Sequence, residues 1–303
     1  MSDTRKTQAS ARSPVVLTPP APGRVAVPTL GAAFPAPLRR EGPGKLTGEA
    51  KYTDDLVFPG AWYGATIRST EAHARFLGLD QDADFDWSKV VVMTAKYIPG
   101  DNVVSIIQDD MPALAIDDNE HVAQPVALLA APDKATLREA KQRIRLRTEP
   151  LPPVFDPLRS EHQFAAYEIT RGEPEAAFEE ATLIVQGEYR VGHQEQLYIE
   201  NQAMIAEPRE DGGITITGSM QCPYYVHSAL KRALDLSDEQ AVITQAETGG
   251  GFGGKEDYPS VVAIHAALLA QRVGKPVRMI YDRHEDIAST TKRHPAIVRY
   301  RSG

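Results

Sequence analysis

The chain has 303 residues, and its 33 lysine and arginine residues against 41 aspartate and glutamate residues give a net charge of −8. Hydrophobic residues make up 42 % and charged residues 24 % of the chain, a balance that excludes wholesale disorder, collagen and a simple coiled coil. The acidic charge argues against a protein that binds nucleic acid or anionic membranes. The single cysteine, Cys222, excludes an internal disulfide and a four-cysteine metal site, so we expect a reducing compartment.

No stretch reaches the roughly 18 apolar residues of a transmembrane helix, and residues 1–17 lack the apolar core of a secretory signal. We therefore expect a cytoplasmic protein without membrane contact. The length predicts about two domains of roughly 150 residues each. Residues 1–43 are rich in proline, alanine, serine and threonine, which predicts a flexible tail without helices. A linker that becomes ordered against a partner is the alternative.

The rest of the chain alternates between short strand and helix patterns. Strands are predicted, in chain order, over residues 62–68, 89–94, 124–130, 144–147, 181–191, 214–217, 240–247 and 277–281. Helices are predicted over residues 132–143, 173–180, 223–234 and 260–273. Because hairpin signals mix with helices, we expect an α+β fold rather than a doubly wound sheet. A proline cluster at residues 150–157 predicts a boundary between domains of residues 44–157 and 158–303.

The most informative segment is the glycine-rich turn of residues 248–256, TGGGFGGKE, between a predicted strand and a predicted helix. Glycines let a ligand approach bare backbone amides, and amides near a helix N-terminus bind anions. A dinucleotide motif also needs an acidic residue about 20 positions later, and none occurs between Tyr258 and Tyr281. A P-loop needs serine or threonine where this chain has Glu256. A tight turn without a ligand is the third alternative.

The same segment resembles the molybdopterin-binding subunit of the xanthine dehydrogenase and aldehyde oxidase family of molybdenum hydroxylases. In that family a G-G-G-F-G-G-K-E turn follows an upstream glutamine, and here Gln221 precedes Phe252 by 31 positions. The resemblance covers roughly residues 45–303 and implies a hammerhead-like α/β domain followed by the first part of a molybdopterin-binding domain. Further matching segments are residues 46–55, 72–75, 124–127, 193–200, 279–286 and 293–295.

The resemblance also implies roles for individual residues. The cofactor is molybdenum held by a pterin, without a direct protein ligand to the metal. Gln221 is expected to hydrogen-bond the oxo group of the metal, as an amide N–H donor suits an oxo acceptor. Glu256 occupies the position that contacts the heterocycle in purine-oxidising members, which favours a purine or related N-heterocycle as substrate. The loop backbone is expected to lie against the cofactor at Gly251, Phe252, Gly253 and Gly254.

Structural explanations stay open for several of these residues. Gln221 is also explained as a cap of the helix that begins near Pro223, and Glu256 as a first-turn acid that favours the helix dipole. Lys255 either meets an anionic pterin or is solvated. Cys222 is expected to pack as a small residue, and a structural role is expected for His193, His227 and His265.

Family subunits extend well beyond residue 295, so the resemblance places the substrate-binding arginine and the general base outside this chain, and no catalytic residue is assigned to it. We expect a second polypeptide to carry the rest of the molybdopterin domain. Partner subunits are expected to carry 2Fe-2S clusters and FAD, because one cysteine cannot hold a cluster. The expected reaction oxidises a heterocycle C–H with water as oxygen source. An aldehyde oxidase-type subunit and a non-catalytic scaffold or truncated fragment are the alternatives.

Overall fold

The computed structural model describes residues 39–104 and 108–303, so most of the predicted tail of residues 1–43 lies outside the described residues. The end of that tail enters a short helix, α1 (Gly42–Thr47). The expectation that its prolines exclude any helix is therefore wrong for Pro43. Pro43 lies in the first turn of α1, where its missing N–H has no intrahelical partner to lose.

The remaining elements contain every predicted helix and strand, with ends shifted by a few residues. The helices that follow are α2 (Lys134–Arg143), α3 (Pro174–Glu180), α4 (Pro223–Leu234), α5 (Tyr258–Val273) and α6 (Arg283–Ser289). The strands within the described ranges are β1 (Trp62–Arg68), β2 (Ala74–Gln81), β3 (Val91–Thr94), β4 (Asp118–Asn119), β5 (Pro125–Ala131), β6 (Ile144–Pro150), β7 (Val185–Val191), β8 (Ala203–Pro208), β9 (Ile214–Gly218), β10 (Ala241–Gln245), β11 (Val277–Ile280) and β12 (Ala296–Ser302). The α+β expectation is confirmed, whereas β2, β4, β8, β12 and α6 have no predicted counterpart.

A seven-stranded sheet organises the molecule, in the order β10-β9-β8-β11-β1-β5-β3. The β9–β10 and β1–β11 pairs are parallel, and the other neighbours are antiparallel. Strands β1, β3 and β5 precede residue 157 and strands β8 to β11 follow it, so the sheet contains strands from both predicted domains. The position of the boundary itself stays a prediction.

Helix α5 lies at the centre of the main core. Its residues from Tyr258 to Ala270 are all buried, as expected for a helix that is apolar on nearly every side. It packs against β8, β11 and β5 and against the apolar side of α4. Leu128 of β5 belongs to this core, whereas Leu129 packs with Leu137 of α2. Because neighbouring strand residues point to opposite faces, α5 and α2 cover opposite faces of the sheet.

Two smaller sheets complete the fold. Strands β4, β2 and β6 form a three-stranded antiparallel sheet, and β7 pairs with β12 in a two-stranded antiparallel ribbon. The register of β2 against β6 shifts between Phe76 and Gly78. Gly78 adopts a φ of 141° there, a conformation that favours glycine.

Within the described residues, no helix combines the length and the apolar character needed to cross a bilayer.

Candidate functional site

The sheet brings Gln221 and the glycine-rich turn together. Strands β9 and β10 are parallel neighbours, so the segments that leave their carboxyl ends emerge at the same edge of the sheet. Residues 219–222 follow β9, and residues 246–257 follow β10 and lead into α5. This arrangement explains how a glutamine and a loop 31 positions apart become neighbours.

The Gln221 side chain is held by the loop through its oxygen. Gln221 Oε1 accepts hydrogen bonds from the backbone N–H groups of Gly253, at 3.0 Å, and Lys255, at 3.2 Å. The backbone N–H of Gln221 donates to the carbonyl of Lys255 at 2.7 Å. The Nε2 group makes no hydrogen bond to any part of the chain that the structure describes. Gln221 is exposed, so it presents a free N–H donor at the surface.

The proposed helix-capping role of Gln221 is wrong. The N-cap residue of α4 is Cys222, and the Gln221 side-chain oxygen is bonded to the loop instead. Pro223 lies in the first turn of α4, where one fewer backbone donor needs a partner.

Different glycines of the loop are required for different reasons. A Cβ at Gly251 would collide with the Gln221 side-chain amide, and a Cβ at Gly254 would lie 2.5 Å from the Tyr198 ring. Gly253 instead has a φ of 91°, and a Cβ there would meet nothing within 4 Å. The inner side of the loop is therefore closely packed, whereas the outer side at Gly253 faces open space.

Phe252 forms the exposed tip of the loop. It adopts a left-handed backbone conformation with a φ of 52°, which is uncommon for a residue with a bulky side chain. Its side chain is 76 % exposed. Strained backbone conformations of this kind cluster at functional sites.

A buried ion pair lies beneath the loop. The side chain of Lys255 is fully buried, and its Nζ lies 3.0 Å from Glu200 Oε2 and 2.9 Å from Ser219 Oγ. Burial lowers the pKa of Lys255, and the negative charge of Glu200 opposes this. The alternatives of a solvated lysine and of a lysine that meets an anionic pterin are therefore both wrong, because Nζ points into the protein.

A second buried network supports the end of the loop. The Tyr198 hydroxyl donates to Asp286 Oδ1 at 2.6 Å, and the Gln202 backbone N–H donates to Asp286 Oδ2 at 2.6 Å. Gln202 Nε2 donates to the Tyr198 hydroxyl and to the carbonyl of Gly254, at 2.9 and 2.8 Å. Burial, with the hydrogen bond to Asp286, raises the pKa of Tyr198. The phenol therefore stays protonated and supports the loop through Gln202, which bonds both the Tyr198 hydroxyl and the Gly254 carbonyl.

Glu256 lies on the exposed side of the site, just before α5. Helix α5 begins at Tyr258 with Asp257 as its N-cap residue, and its first turn contains no acidic residue. The interpretation of Glu256 as a first-turn acid is therefore wrong. Burial first, and then the charges of Glu256 and Asp257, raise the pKa of Cys222. This cysteine is thus kept as a thiol, in agreement with a packing role.

Two open clefts flank the loop. One cleft of about 480 Å³ is lined by Gln221, by Phe252, by Lys45 of α1 and by Arg39, which precedes α1. The other, of about 800 Å³, is lined by Phe252, Gly253 and residues 193–196 and 290–294. The exposed tip of the loop therefore separates two spaces large enough for an organic ligand.

The histidines are far less informative than this loop. His265 is fully buried, with Nε2 2.8 Å from the carbonyl of Ala113 and Nδ1 3.4 Å from Thr66 Oγ1. His227 Nε2 lies 3.1 Å from the carbonyl of Asp238. Across the described ranges, no group of three or more histidine, cysteine or acidic side chains is placed to hold a metal ion.

The sequence predicted the exposed residues of the site but not the buried side chains that hold the loop from beneath. Glu200 lies in the segment of residues 193–200 that resembles the family, but no pattern indicates that it pairs with Lys255, 55 residues later. The same is true of Tyr198 and Asp286, which are 88 residues apart. The only available signal was the occurrence of both segments in the resemblance.

Two sequence profiles match the chain. A profile described as the molybdopterin cofactor-binding domain matches residues 156–303. A second, described as the a/b hammerhead domain of aldehyde oxidase and xanthine dehydrogenase, matches residues 47–152.

Individual relatives agree with these matches. Aldehyde oxidase 2 of Rattus norvegicus is 33 % identical over 265 residues, which are 85 % of this chain and 19 % of the relative. A probable xanthine dehydrogenase subunit of Bacillus subtilis strain 168 is 31 % identical over 281 residues, which are 89 % of this chain and 37 % of the relative. The chain thus spans between about a fifth and two fifths of the length of these curated relatives.

Solved structures give the same result for the fold. Quinoline 2-oxidoreductase from Pseudomonas putida 86 superposes with a TM-score of 0.70 at 26 % identity, covering 84 % of this chain and 35 % of the other. The aldehyde oxidoreductase from Desulfovibrio gigas superposes with a TM-score of 0.73 at 22 % identity, covering 85 % of this chain and 31 % of the other. The second likeness concerns the fold alone.

Proposed function

We propose, from the premise that this chain belongs to the aldehyde oxidase and xanthine dehydrogenase family of molybdenum hydroxylases, that it forms one wall of the molybdenum-cofactor site of an oxidoreductase. The observation that carries the proposal is the amide of Gln221. Its oxygen is occupied by the loop, and its Nε2 donor has no hydrogen-bond partner among residues 39–104 and 108–303 and lies beside the backbone of Phe252 and Gly253 in an exposed residue. A helix cap or a bare turn would not need this free donor.

The residues present fit a molybdenum-pterin group. Gln221 Nε2 would donate to an oxygen of the group, and the open outer face of Gly253 would admit it next to the backbone. Gly251 keeps Gln221 in place, because any side chain there would displace the amide. When bound, the molybdenum centre supplies the two-electron chemistry that adds an oxygen from water to a substrate carbon. The general base and the substrate-binding arginine are proposed to lie on another polypeptide.

The proposed substrate is a purine or a related N-heterocycle. Glu256 is exposed at the entrance to α5, and a carboxylate can accept the ring N–H of a heterocycle. The likeness to a quinoline 2-oxidoreductase at 26 % identity supports a heterocyclic substrate. The identity of 33 % to an aldehyde oxidase supports the second candidate, an aldehyde-oxidising subunit.

A Glu256→Val variant separates the two substrate classes in the assembled enzyme. If Glu256 contacts a heterocycle, kcat/KM for purines should fall at least tenfold, while kcat/KM for aldehydes changes less than twofold. Glu239→Val is the matched control, since Glu239 is also exposed and lies before β10, away from the loop. Unchanged purine kinetics in Glu256→Val would remove the reason for proposing purines.

The ribbon of β7 and β12 supports the proposal of a partner polypeptide. Residues on one face of the ribbon are apolar and exposed, with Tyr189 59 % and Val298 51 % accessible. The opposite face is charged, and Glu188 there pairs with Arg190 and Arg299. A two-stranded ribbon is marginal in water unless its apolar face is covered. We infer that the rest of the family's molybdopterin domain, on a second polypeptide, covers this face.

The partner can be tested at the ribbon. Tyr189→Glu should abolish co-purification of the partner from native cells, because it buries a charge in the interface. Gln186→Glu places the same charge on the opposite face of β7 and should leave co-purification intact. Equal capture by both variants would contradict an interface at the apolar face.

Partner subunits that carry 2Fe-2S clusters and FAD, and a cytoplasmic location, complete the proposal. The decisive experiment is purification of the tagged chain from its native cells, with molybdenum quantification and identification of co-purifying chains. About one molybdenum per chain together with a partner supports the enzyme. A chain that is isolated alone and free of molybdenum favours a non-catalytic scaffold or fragment.

A further inference from the structure

Glu200 holds the beginning of the glycine loop from two directions. Its Oε2 accepts a hydrogen bond from the Gly249 backbone N–H at 2.7 Å, and its own backbone N–H donates to the Gly249 carbonyl at 3.2 Å. The same Oε2 accepts from the Ser219 hydroxyl at 2.6 Å, and Oε1 accepts from the Thr53 backbone N–H at 3.3 Å. The carboxylate is thus fully occupied by groups of the chain.

Lys255 holds the end of the loop in a corresponding way. Its backbone N–H and carbonyl both bond Gln221. Its side chain passes beneath the loop, where Nζ meets Glu200 and Ser219 and lies 4.9 Å from the centre of the Tyr198 ring. The ion pair therefore joins the first glycine of the loop to the residue that fixes the Gln221 amide.

A buried ion pair is an expensive way to stabilise a fold, because desolvation offsets much of the attraction, and apolar residues of the same volume often stabilise as well. The ion pair instead fixes the orientation of the loop segments that it bonds. The Glu200 carboxylate accepts from the Gly249 backbone N–H, and the Lys255 ammonium donates to that carboxylate and to the Ser219 hydroxyl at defined atoms, which an apolar pair could not do. The loop also contains residues in left-handed conformations, Gly250, Phe252 and Gly253, which only such constraints keep in one arrangement.

We propose that Glu200 and Lys255 are positioning residues, which orient the Gln221 amide and the Phe252–Gly253 backbone toward the cofactor. The proposal rests on the proposed function for the identity of the cofactor. The ordering of the loop by the ion pair is independent of that function. The Lys255 side chain is fully buried and the Glu200 oxygens are bonded by groups of the chain, so both residues act through Gln221 and the loop.

The test uses the full chain, with its partners where these co-purify. Lys255→Met keeps the length of the side chain and removes its charge. Hydrogen exchange at the backbone amides of residues 249, 253 and 255 should become at least tenfold faster. Thr66→Val is the matched control, because it removes a different buried polar group, the one facing His265, and should leave exchange at these amides within twofold of wild type.

The double variant Glu200→Gln with Lys255→Met separates positioning from the cost of an unpaired charge. It buries no charge, so its stability should recover toward wild type, whereas exchange in the loop should remain at least tenfold faster. Wild-type exchange in the double variant would overturn the proposal. If Lys255→Met does not fold, Ser219→Ala decides, since it removes only the hydroxyl that bonds both charged groups; unchanged exchange there overturns the proposal.

A spectroscopic measurement tests the link to the cofactor. In the molybdenum-loaded complex, Lys255→Met should shift the g-values of the Mo(V) electron paramagnetic resonance signal in the same direction as Gln221→Ala, and Thr66→Val should not shift them. If exchange in the loop responds to Lys255→Met but the complex purified from native cells contains no molybdenum, the positioning role of the ion pair stands and the proposed function is refuted. Exchange in Lys255→Met that matches the Thr66→Val control would refute the positioning role of Glu200 and Lys255, whether or not molybdenum is bound.

Discussion

Asp286 is the residue whose removal should most weaken the support of the glycine loop. It is fully buried, and its carboxylate accepts two hydrogen bonds of 2.6 Å, from the Tyr198 hydroxyl and the Gln202 backbone. Hydrogen bonds to a charged group contribute about 1.5–3 kcal/mol each. Because Asp286→Ala also leaves the Gln202 N–H buried without a partner, we expect the free energy of unfolding to fall by about 3–5 kcal/mol.

The same helix offers a matched control. Asp282 is exposed and caps α6 through a 2.8 Å hydrogen bond from the Glu285 backbone N–H. Loss of such a cap costs about 1 kcal/mol. Urea titrations of the full chain, followed by far-ultraviolet circular dichroism, should therefore place Asp286→Ala well below Asp282→Ala in stability. Equal losses in the two variants would refute the reasoning, because they would show that the buried network contributes no more than an exposed cap.

Two further predictions concern the loop and a buried histidine. Gly251→Ala should displace the Gln221 amide by direct collision and shift the g-values of the Mo(V) signal in the same direction as Gln221→Ala, without loss of circular dichroism; unshifted g-values would contradict the proposed role of Gln221. Burial lowers the pKa of His265 from 6.5 to about 3, so protonation favours the unfolded chain. Stability should therefore fall through this group by up to about 1.4 kcal/mol per pH unit as the pH drops below 6.5. In urea titrations at several pH values, His265→Gln should reduce the slope of the unfolding free energy against pH by up to about 1.4 kcal/mol per pH unit. An unchanged slope would show that His265 does not titrate in this way.

Elements with a strong period or clear boundaries were predictable from the sequence. Helix α5 is predicted because Gly274 ends its apolar run, and it adopts a left-handed C-cap there. Strand β8 was not predicted, because its buried apolar run, Ala203 to Ala206, is only four residues long and too short to show a period or to stand out as a buried strand. Strand β2 was missed because its register shifts near Gly78, which interrupts the period of two.

The candidate site was predictable only on its surface. The spacing of Gln221 from Phe252 indicated a shared site, and both sequence profiles confirm the family that this spacing suggested. The state of Lys255 was not predictable, because lysine is rarely buried and its partner Glu200 is remote in sequence. Burial of a charge depends on which segments the fold brings together, and no local pattern records that.

The sheet that contains strands from both halves of the chain has a consequence for protein engineering. Strand β1 lies between β5, from its own half, and β11, from the other half. In a chimera that exchanged residues 47–152 with those of a relative, the foreign β1 would have to pair with β11. The foreign β1, β3 and β5 would also have to pack against α5. We expect such exchanges to succeed only when β1, β3 and β5 are transferred together with the residues of α5 that face them.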